Sequence, residues 1–145
     1  MHEIINSFRE ISKKEFVFNY DQDSNPKKIS KSIEIVYGLR NFIGNANKFA
    51  KNSIFINLKS DSEFTELTVE DDGNGYPRDI ISKIGEPYLK SNYSKDKSKE
   101  GLGLGLFIGK TLLEKNFASV NCRNSKTRSG AEVIIRWKNK ELFNI

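Results

Sequence analysis

The chain has one cysteine, Cys122, and one histidine, His2. A single cysteine closes no internal disulfide, and one of each is too few for a Cys/His zinc site. No apolar run approaches the roughly 20 residues that span a bilayer. The first residues, M-H-E-I-I, are short and acidic, unlike a signal peptide. There is no internal repeat and no low-complexity tail. No basic stripe interleaves with aromatic platforms, and Glu63, Glu66, Glu70, Asp71, Asp72 and Asp79 gather mid-chain, which argues against a nucleic-acid partner. A phosphate-binding P-loop is also missing. G109-K110-T111 resembles the end of one, but Gly105 and Gly109 enclose three residues and Gly103 and Gly109 five, where the pattern needs four.

What is present suits one domain with one core: 145 residues, 37% hydrophobic and 30% charged, a soluble globular balance. The net charge of +5 favours anionic partners such as nucleotides or acidic surfaces. Phe16, Phe18 and Tyr20 alternate, as in a half-buried strand, and D21-Q22-D23-S24-N25-P26 reads as a loop. A helix is predicted over 30–50, with Ile35, Leu39, Phe42, Ala46 and Phe49 as its core stripe. Ile54, Ile56 and Leu58, then Leu67 and Val69, mark two adjacent strands. Pro77 can open a short helix through Ile84. Residues 106–116 read as a helix, and 118–123 and 132–137 as strands around a turn. The order predicts an α/β (α+β) two-layer sandwich, with helices on one face of a mixed sheet. Strict βαβ alternation is missing, which argues against a Rossmann fold.

Three groups of residues have chemical potential. On the first long helix, Glu34, Gly38, Asn41, Asn45 and Lys48 share a face by spacing. An amide oxygen there can ligate Mg²⁺, a hard cation usually shared with substrate phosphates, and Lys48 can neutralise phosphate charge. The ordinary alternative is a solvated helix face. Next, Asp71 ends a strand and enters a turn with Gly73 and Gly75. A carboxylate there can accept from the exocyclic amine of a purine, and glycines let backbone approach a flat ring. The alternative is a plain tight turn. Last, G101-L102-G103-L104-G105-L106 opens a helix whose free N–H groups and positive dipole end suit phosphates.

In this order the pieces N41-F42-I43-G44-N45-A46-N47-K48-F49, D71-D72-G73-N74-G75, G101 to L106 and S129-G130-A131 resemble the ATP-binding catalytic domain of bacterial sensor histidine kinases, a Bergerat-type fold shared with gyrase-type, Hsp90-type and MutL-type ATPases. I84-G85-E86-P87-Y88 is similar to the box written F-E-P-F, with Gly85 in place of the first Phe. The run E34-I35-V36-Y37-G38-L39-R40-N41 is most similar to redox-responsive kinases of the RegB/PrrB type. The likeness covers about residues 15–138.

The resemblance implies ATP and Mg²⁺ as ligands and these roles. Asn45 is the metal ligand, with Asn41 and Lys48 beside it at the phosphates. Asp71 reads the adenine amine, with Gly73 and Gly75 beside the ring and Gly130 near that end. Gly101, Leu102, Gly103, Leu104, Gly105 and Leu106 form the phosphate cradle. Residues 86–100 are an ATP lid whose Lys90, Lys95, Lys97 and Lys99 can meet phosphate. Residues 1–14 then read as a linker from a dimerisation domain absent from this chain, and 139–145 as a tail. Relatives that hydrolyse ATP carry a glutamate one turn before the metal asparagine. Here that place is Asn41, whose amide is no general base near pH 7. The expected activity is therefore protein-histidine kinase. The acceptor is a histidine on a separate helical dimerisation domain, a response regulator is the downstream partner, and the domain is cytoplasmic with a parent that can be anchored in the inner membrane. A serine kinase of the anti-sigma-factor type and a non-catalytic ATP-gated binding module are the alternatives.

Overall fold

Period-2 alternation turns five segments into strands of one sheet. The computed structural model describes residues 2–20, 32–77, 81 and 102–142. Strands β1 (Glu15–Tyr20), β2 (Ser53–Ser60), β3 (Phe64–Asp71), β4 (Ala118–Asn124) and β5 (Ala131–Lys138) lie in the order β1-β2-β3-β5-β4. β1 runs parallel to β2, and the other three pairings are antiparallel. The expected mixed sheet is therefore observed. Its parallel pair is joined by α2 (Ile33–Phe49), because parallel neighbours need a crossover. The β2–β3 hairpin needs only a short turn, closed by Asp61 Oδ1 accepting from the N–H groups of Glu63 (2.8 Å) and Phe64 (2.7 Å).

Alternation also sends Ile54, Ile56, Leu67, Val69, Val133, Ile135 and Trp137 to one face, where each is 4% exposed or less. α2 covers that face with Ile35, Leu39, Phe42, Ile43 and Ala46, and α3 (Leu102–Lys115) with Leu106 and Leu113. Each buried Val, Leu, Ile or Phe side chain among these contributes about 1.5–3 kcal/mol. The helices run antiparallel, since Gly38 of α2 faces Leu113, Phe42 faces Gly109 and Asn45 faces Gly105. They approach closely because two of these positions are bare: a Cβ on Gly38 would stand 2.7 Å from Leu113 Cγ, and one on Gly109 2.8 Å from Phe42 Cε2. Lys115 Nζ and Glu34 Oε2, 2.9 Å apart, tie the far ends together.

The opposite sheet face is closed by its own charges. Across it the register aligns Phe55, Glu70, Glu132 and Arg123. Arg123 pairs with Glu132 and Arg128 with Glu70 (3.8 Å). The Arg128 guanidinium also lies 3.5 Å from the Phe55 ring centroid, a cation–π contact.

Three details differ from the sequence reading. Helix α3 begins at Leu102 rather than Leu106, because packing of its apolar face overrides the weak helix propensity of Gly103 and Gly105. The domain was expected over 15–138, yet α1 (His2–Ile11) packs outside those bounds, burying Ile5 to 1% exposure and setting Phe8 against the core. At the other end α4 (Asn139–Leu142) starts on a buried asparagine. Asn139 accepts from Thr65 Oγ1 (2.7 Å) and donates to Asp61 O (2.7 Å), locking the β2–β3 turn. The loop at 21–26, most of the short helix after Pro77, the 84–88 box and the lid at 86–100 lie outside the described residues. Of that stretch Pro77 and Ile81 are described, with Ile81 N donating to Pro77 O at 3.2 Å. No helix among the described residues is long and apolar enough to cross a membrane.

Candidate nucleotide site

Strand β3 ends on Asp71, and Asp72 follows it in different surroundings. Asp71 is 3% exposed. Its Oδ1 accepts from Gly73 N (2.8 Å) and Ala131 N (3.3 Å). Burial raises its pKa above 3.8, against the pull of those two N–H groups and of the Lys14 ammonium. Both described bonds go to Oδ1, so the second oxygen keeps its capacity to accept. Gly130 is buried against it: a Cβ there would overlap the Asp71 carbonyl oxygen and carboxylate. The first and last glycine boxes are thus one packed unit around a single carboxylate.

Asp72 faces away from that unit. It takes the backbone N–H groups of Lys51 (2.8 Å), Asn52 (3.0 Å) and Ser53 (3.2 Å). Burial would push its carboxyl up, but these donors prevail and lower it below 3.8. Asp72 therefore fastens the turn from α2 into β2. Nothing in D-D-G assigned it that task, since its partners lie about 20 residues away in sequence.

After Gly73 the chain turns through Gly75, at φ +76°, a conformation glycine adopts without a Cβ clash. Tyr76 follows, buried, and its phenol shares a hydrogen bond with Cys122. Burial pushes the Cys122 thiol up to about 11 and the Tyr76 phenol well above 10. Asn124 holds the Tyr76 backbone at both its N–H and its C=O. Tyr76, Cys122 and Asn124 were not among the expected site residues. Strand alternation alone could have placed Cys122 and Asn124 on one face.

The other half of the site lies where α2 meets α3. The Asn41/Asn45 face, for which a solvated surface was the alternative, abuts α3. A Cβ on Gly105 would sit 3.5 Å from Asn41 Oδ1 and 3.6 Å from Asn45 Nδ2, which is ordinary contact, so a methyl would just reach the two amides. Asn41 Nδ2 donates to Tyr37 O one turn back (2.9 Å). Asn45 Nδ2 is buried without a hydrogen-bond partner. Lys48 is exposed, with Nζ 5.3 Å from the Phe49 ring centroid. Leu102, Gly103 and Leu104 belong to the first turn of α3, and Leu106 is fully buried, so it anchors that turn. Gly101 lies outside the described residues. Among the described residues no cluster of three or more His, Cys, Asp and Glu side chains could hold a metal.

The structure therefore brings Asp71, Gly73, Gly75 and Gly130 together at one end, and Asn41, Asn45 and Gly105 at another. Both ends lie on one two-layer α/β sandwich, a five-stranded sheet covered on one face by α2 and α3. The family profile described as histidine kinase-, DNA gyrase B- and HSP90-like ATPase matches residues 30–141, and the chain belongs to that family. Its fold is accordingly of the Bergerat, ATP-binding type. The sensor histidine kinase RegB of Cereibacter sphaeroides is 38% identical over 97 residues, covering 63% of this chain and 21% of that protein. The sensor protein RstB of Escherichia coli is 31% identical over 99 residues, covering 68% of this chain and 23% of its own length. The chain thus spans about a fifth of the length of the curated relatives it matches. Among solved structures, a mycobacterial sensor histidine kinase, MprB, shares the fold with a TM-score of 0.74 at 23% identity, over 95% of each chain. The nucleotide-free catalytic domain of the histidine kinase ThkA gives 0.75 at 21% identity, over 94% of this chain and 90% of that one. The chain is a histidine-kinase-like catalytic domain.

Proposed function

We propose that this domain binds ATP with Mg²⁺ and transfers the γ-phosphoryl group to a histidine on a helical dimerisation domain of the same kinase. The observation that carries the reading is Asp71. It is buried, held at one oxygen by two backbone N–H groups, and left with a second oxygen able to accept. An ionised carboxylate in that setting is costly without a donor. The exocyclic amine of adenine supplies one.

The residues also fit a metal. Rotating the Asn45 amide by half a turn exchanges its buried, unpartnered nitrogen for an oxygen, the ligand type Mg²⁺ takes. When bound, Mg²⁺ supplies charge neutralisation at the transferred phosphoryl group. The chain's own residues do the rest. Gly105 keeps the space above Asn41 and Asn45 free of a side chain. The first turn of α3 offers backbone N–H groups to phosphate, with Gly101 and Gly103 as the other glycines of the cradle. Lys48 adds positive charge at the phosphate end. Residues 86–100, with Lys90, Lys95, Lys97 and Lys99, serve as the lid that excludes water. Asn41 offers no base to activate water, which suits transfer to an imidazole already nucleophilic near neutral pH. The kinase as a whole then works on the cytoplasmic side, with a response regulator as its phosphoryl acceptor downstream and an anchor in the inner membrane.

The test is to mix the domain with radiolabelled ATP and a separately made helical domain of the same kinase. Label on that domain's histidine is the expected result. Label on serine of another protein moves the domain to the serine-kinase class. Rapid release of free phosphate without transfer moves it to the hydrolysing relatives.

A further inference from the structure

We infer that Asn124 is a positioning residue for the base-reading turn, residues 73–76, and so sets how tightly and how selectively the purine is held. The inference rests on the nucleotide-site reading above. It starts from a backbone problem. Residues 74–77 carry no regular structure, so their polar backbone groups need partners other than a ladder. Asn124, the last residue of β4, meets both groups of Tyr76: Nδ2 donates to Tyr76 O (3.0 Å), and Oδ1 accepts from Tyr76 N (2.6 Å). Among short side chains only an asparagine amide presents one donor and one acceptor in this way. Aspartate would offer two acceptors and face the Tyr76 carbonyl with a charge.

Packing leaves the turn no freedom to slide along the amide. A Cβ on Gly75 would stand 2.6 Å from Asn124 Oδ1 and 3.3 Å from Ser129 O. Beneath the backbone, the Tyr76 ring is anchored separately through Cys122, two residues before Asn124 on the same strand face. The clamp also shares a reference with the base-reading carboxylate. Asn124 pairs across the β4–β5 ladder with Ala131, and Ala131 N is one of the two donors to Asp71 Oδ1; the other is Gly73 N, in the clamped turn. Asn124 thus fixes the turn relative to the strand pair that orients Asp71. Loosening it frees the backbone beside the ring while leaving Asn45 and α3 untouched.

The experiment compares Asn124→Ala and Asn124→Asp with the unsubstituted chain, measuring Kd for ATP, ADP and GTP with and without Mg²⁺, together with thermal unfolding and amide exchange at Tyr76. Loss of a partly buried two-point contact corresponds to about a tenfold change. Kd for ATP and for ADP is expected to rise by about that factor in Asn124→Ala, equally with and without Mg²⁺. The preference for ATP over GTP narrows, the Tyr76 amide exchanges faster, and Asn124→Asp weakens binding too, since its carboxylate faces the Tyr76 carbonyl. A lower melting temperature with unchanged affinity, measured where the variant is folded, makes Asn124 a fold residue only and overturns the inference. So does a loss confined to Mg²⁺-containing buffer. If Asn124→Ala does not fold, Asn124→Asp decides alone, since it keeps the volume and the acceptor for Tyr76 N; unsubstituted affinity there overturns the inference. Asp71→Asn is run in parallel. If it also binds ATP normally, the nucleotide-site reading fails; if it loses ATP while both Asn124 variants keep it, only the clamp fails.

Discussion

Gly130 lies against Asp71 with no space for a side chain between them: a Cβ on Gly130 would overlap both the carbonyl oxygen and the carboxylate of Asp71. The contact joins the start of β5 to the end of β3, so the site's acidic end is as stiff as the sheet that carries it. Glycines elsewhere in the site answer to different constraints, and substitutions separate them.

Gly130→Ala is expected to destabilise the domain by about 3 kcal/mol, at the upper end of overpacking costs. Gly105→Ala is expected to do the opposite. Its Cβ meets Asn41 and Asn45 at ordinary contact distances, and alanine gains up to about 1 kcal/mol over glycine in a helix. On the proposed reading the added methyl intrudes on the phosphate position, so ATP affinity is expected to fall. Denaturant melts and calorimetry on both variants check the opposed signs.

Asp71→Asn separates binding from stability. ATP affinity is expected to drop by about 1–3 kcal/mol, because the purine amine then meets a mismatched partner. Stability behaves differently. The folded pKa of Asp71 is raised above 3.8, so its stabilising contribution is full below the unfolded value and is lost as pH rises through the folded one. At neutral pH the variant should melt at or above the unsubstituted domain, and the gap should close as pH falls toward 3.8. Thermal melts across that range read the outcome.

Asp72→Ala loses the carboxylate that holds three N–H groups of the α2–β2 turn. A loss of about 1–2 kcal/mol is expected, as for a removed cap. Here the folded pKa is lowered, so the contribution is present above the unfolded value near 3.8 and disappears as pH falls through the folded one. The difference between variant and unsubstituted domain should vanish below that range in acid-denaturation curves.

Asn41→Glu places a carboxylate one turn before Asn45, over the space beside Gly105. Phosphate release from ATP by the isolated domain is expected to rise by about 10²-fold, the low end of general-base contributions. A phosphate-release assay with Asn45→Ala as the inactive control measures it. Unchanged hydrolysis would detach Asn41 from the phosphate end.

The sandwich was legible because its signals are local. Alternation in β2, β3 and β5 and the three-and-four spacing of Leu39, Phe42 and Ala46 each lie within one element. Asp71, Gly73 and Gly75 stood out as a turn that ends a strand. What escaped depends on partners far along the chain. Asn124 reaches Tyr76 across 48 positions, and Asn139 reaches Thr65 across 74. Glycine's poor helix propensity hid the first turn of α3, and α1 is too short for ten residues of sequence to reveal that Ile5 becomes core.

Helix α1 has a mechanical consequence. Phe8 rests beside Gly44 of α2. Ser12 Oγ donates to Asn47 Oδ1 (2.5 Å), and Lys14 Nζ donates to the Asn47 carbonyl oxygen. Asn47 is two residues from Asn45. The segment ahead of β1 is thus fastened to the same last turns of α2 that carry Asn45. Arg9 of α1 also donates to Phe16 O of β1 (3.1 Å), so a twist applied to α1 is carried to the helix of Asn45 and to the edge of the sheet together.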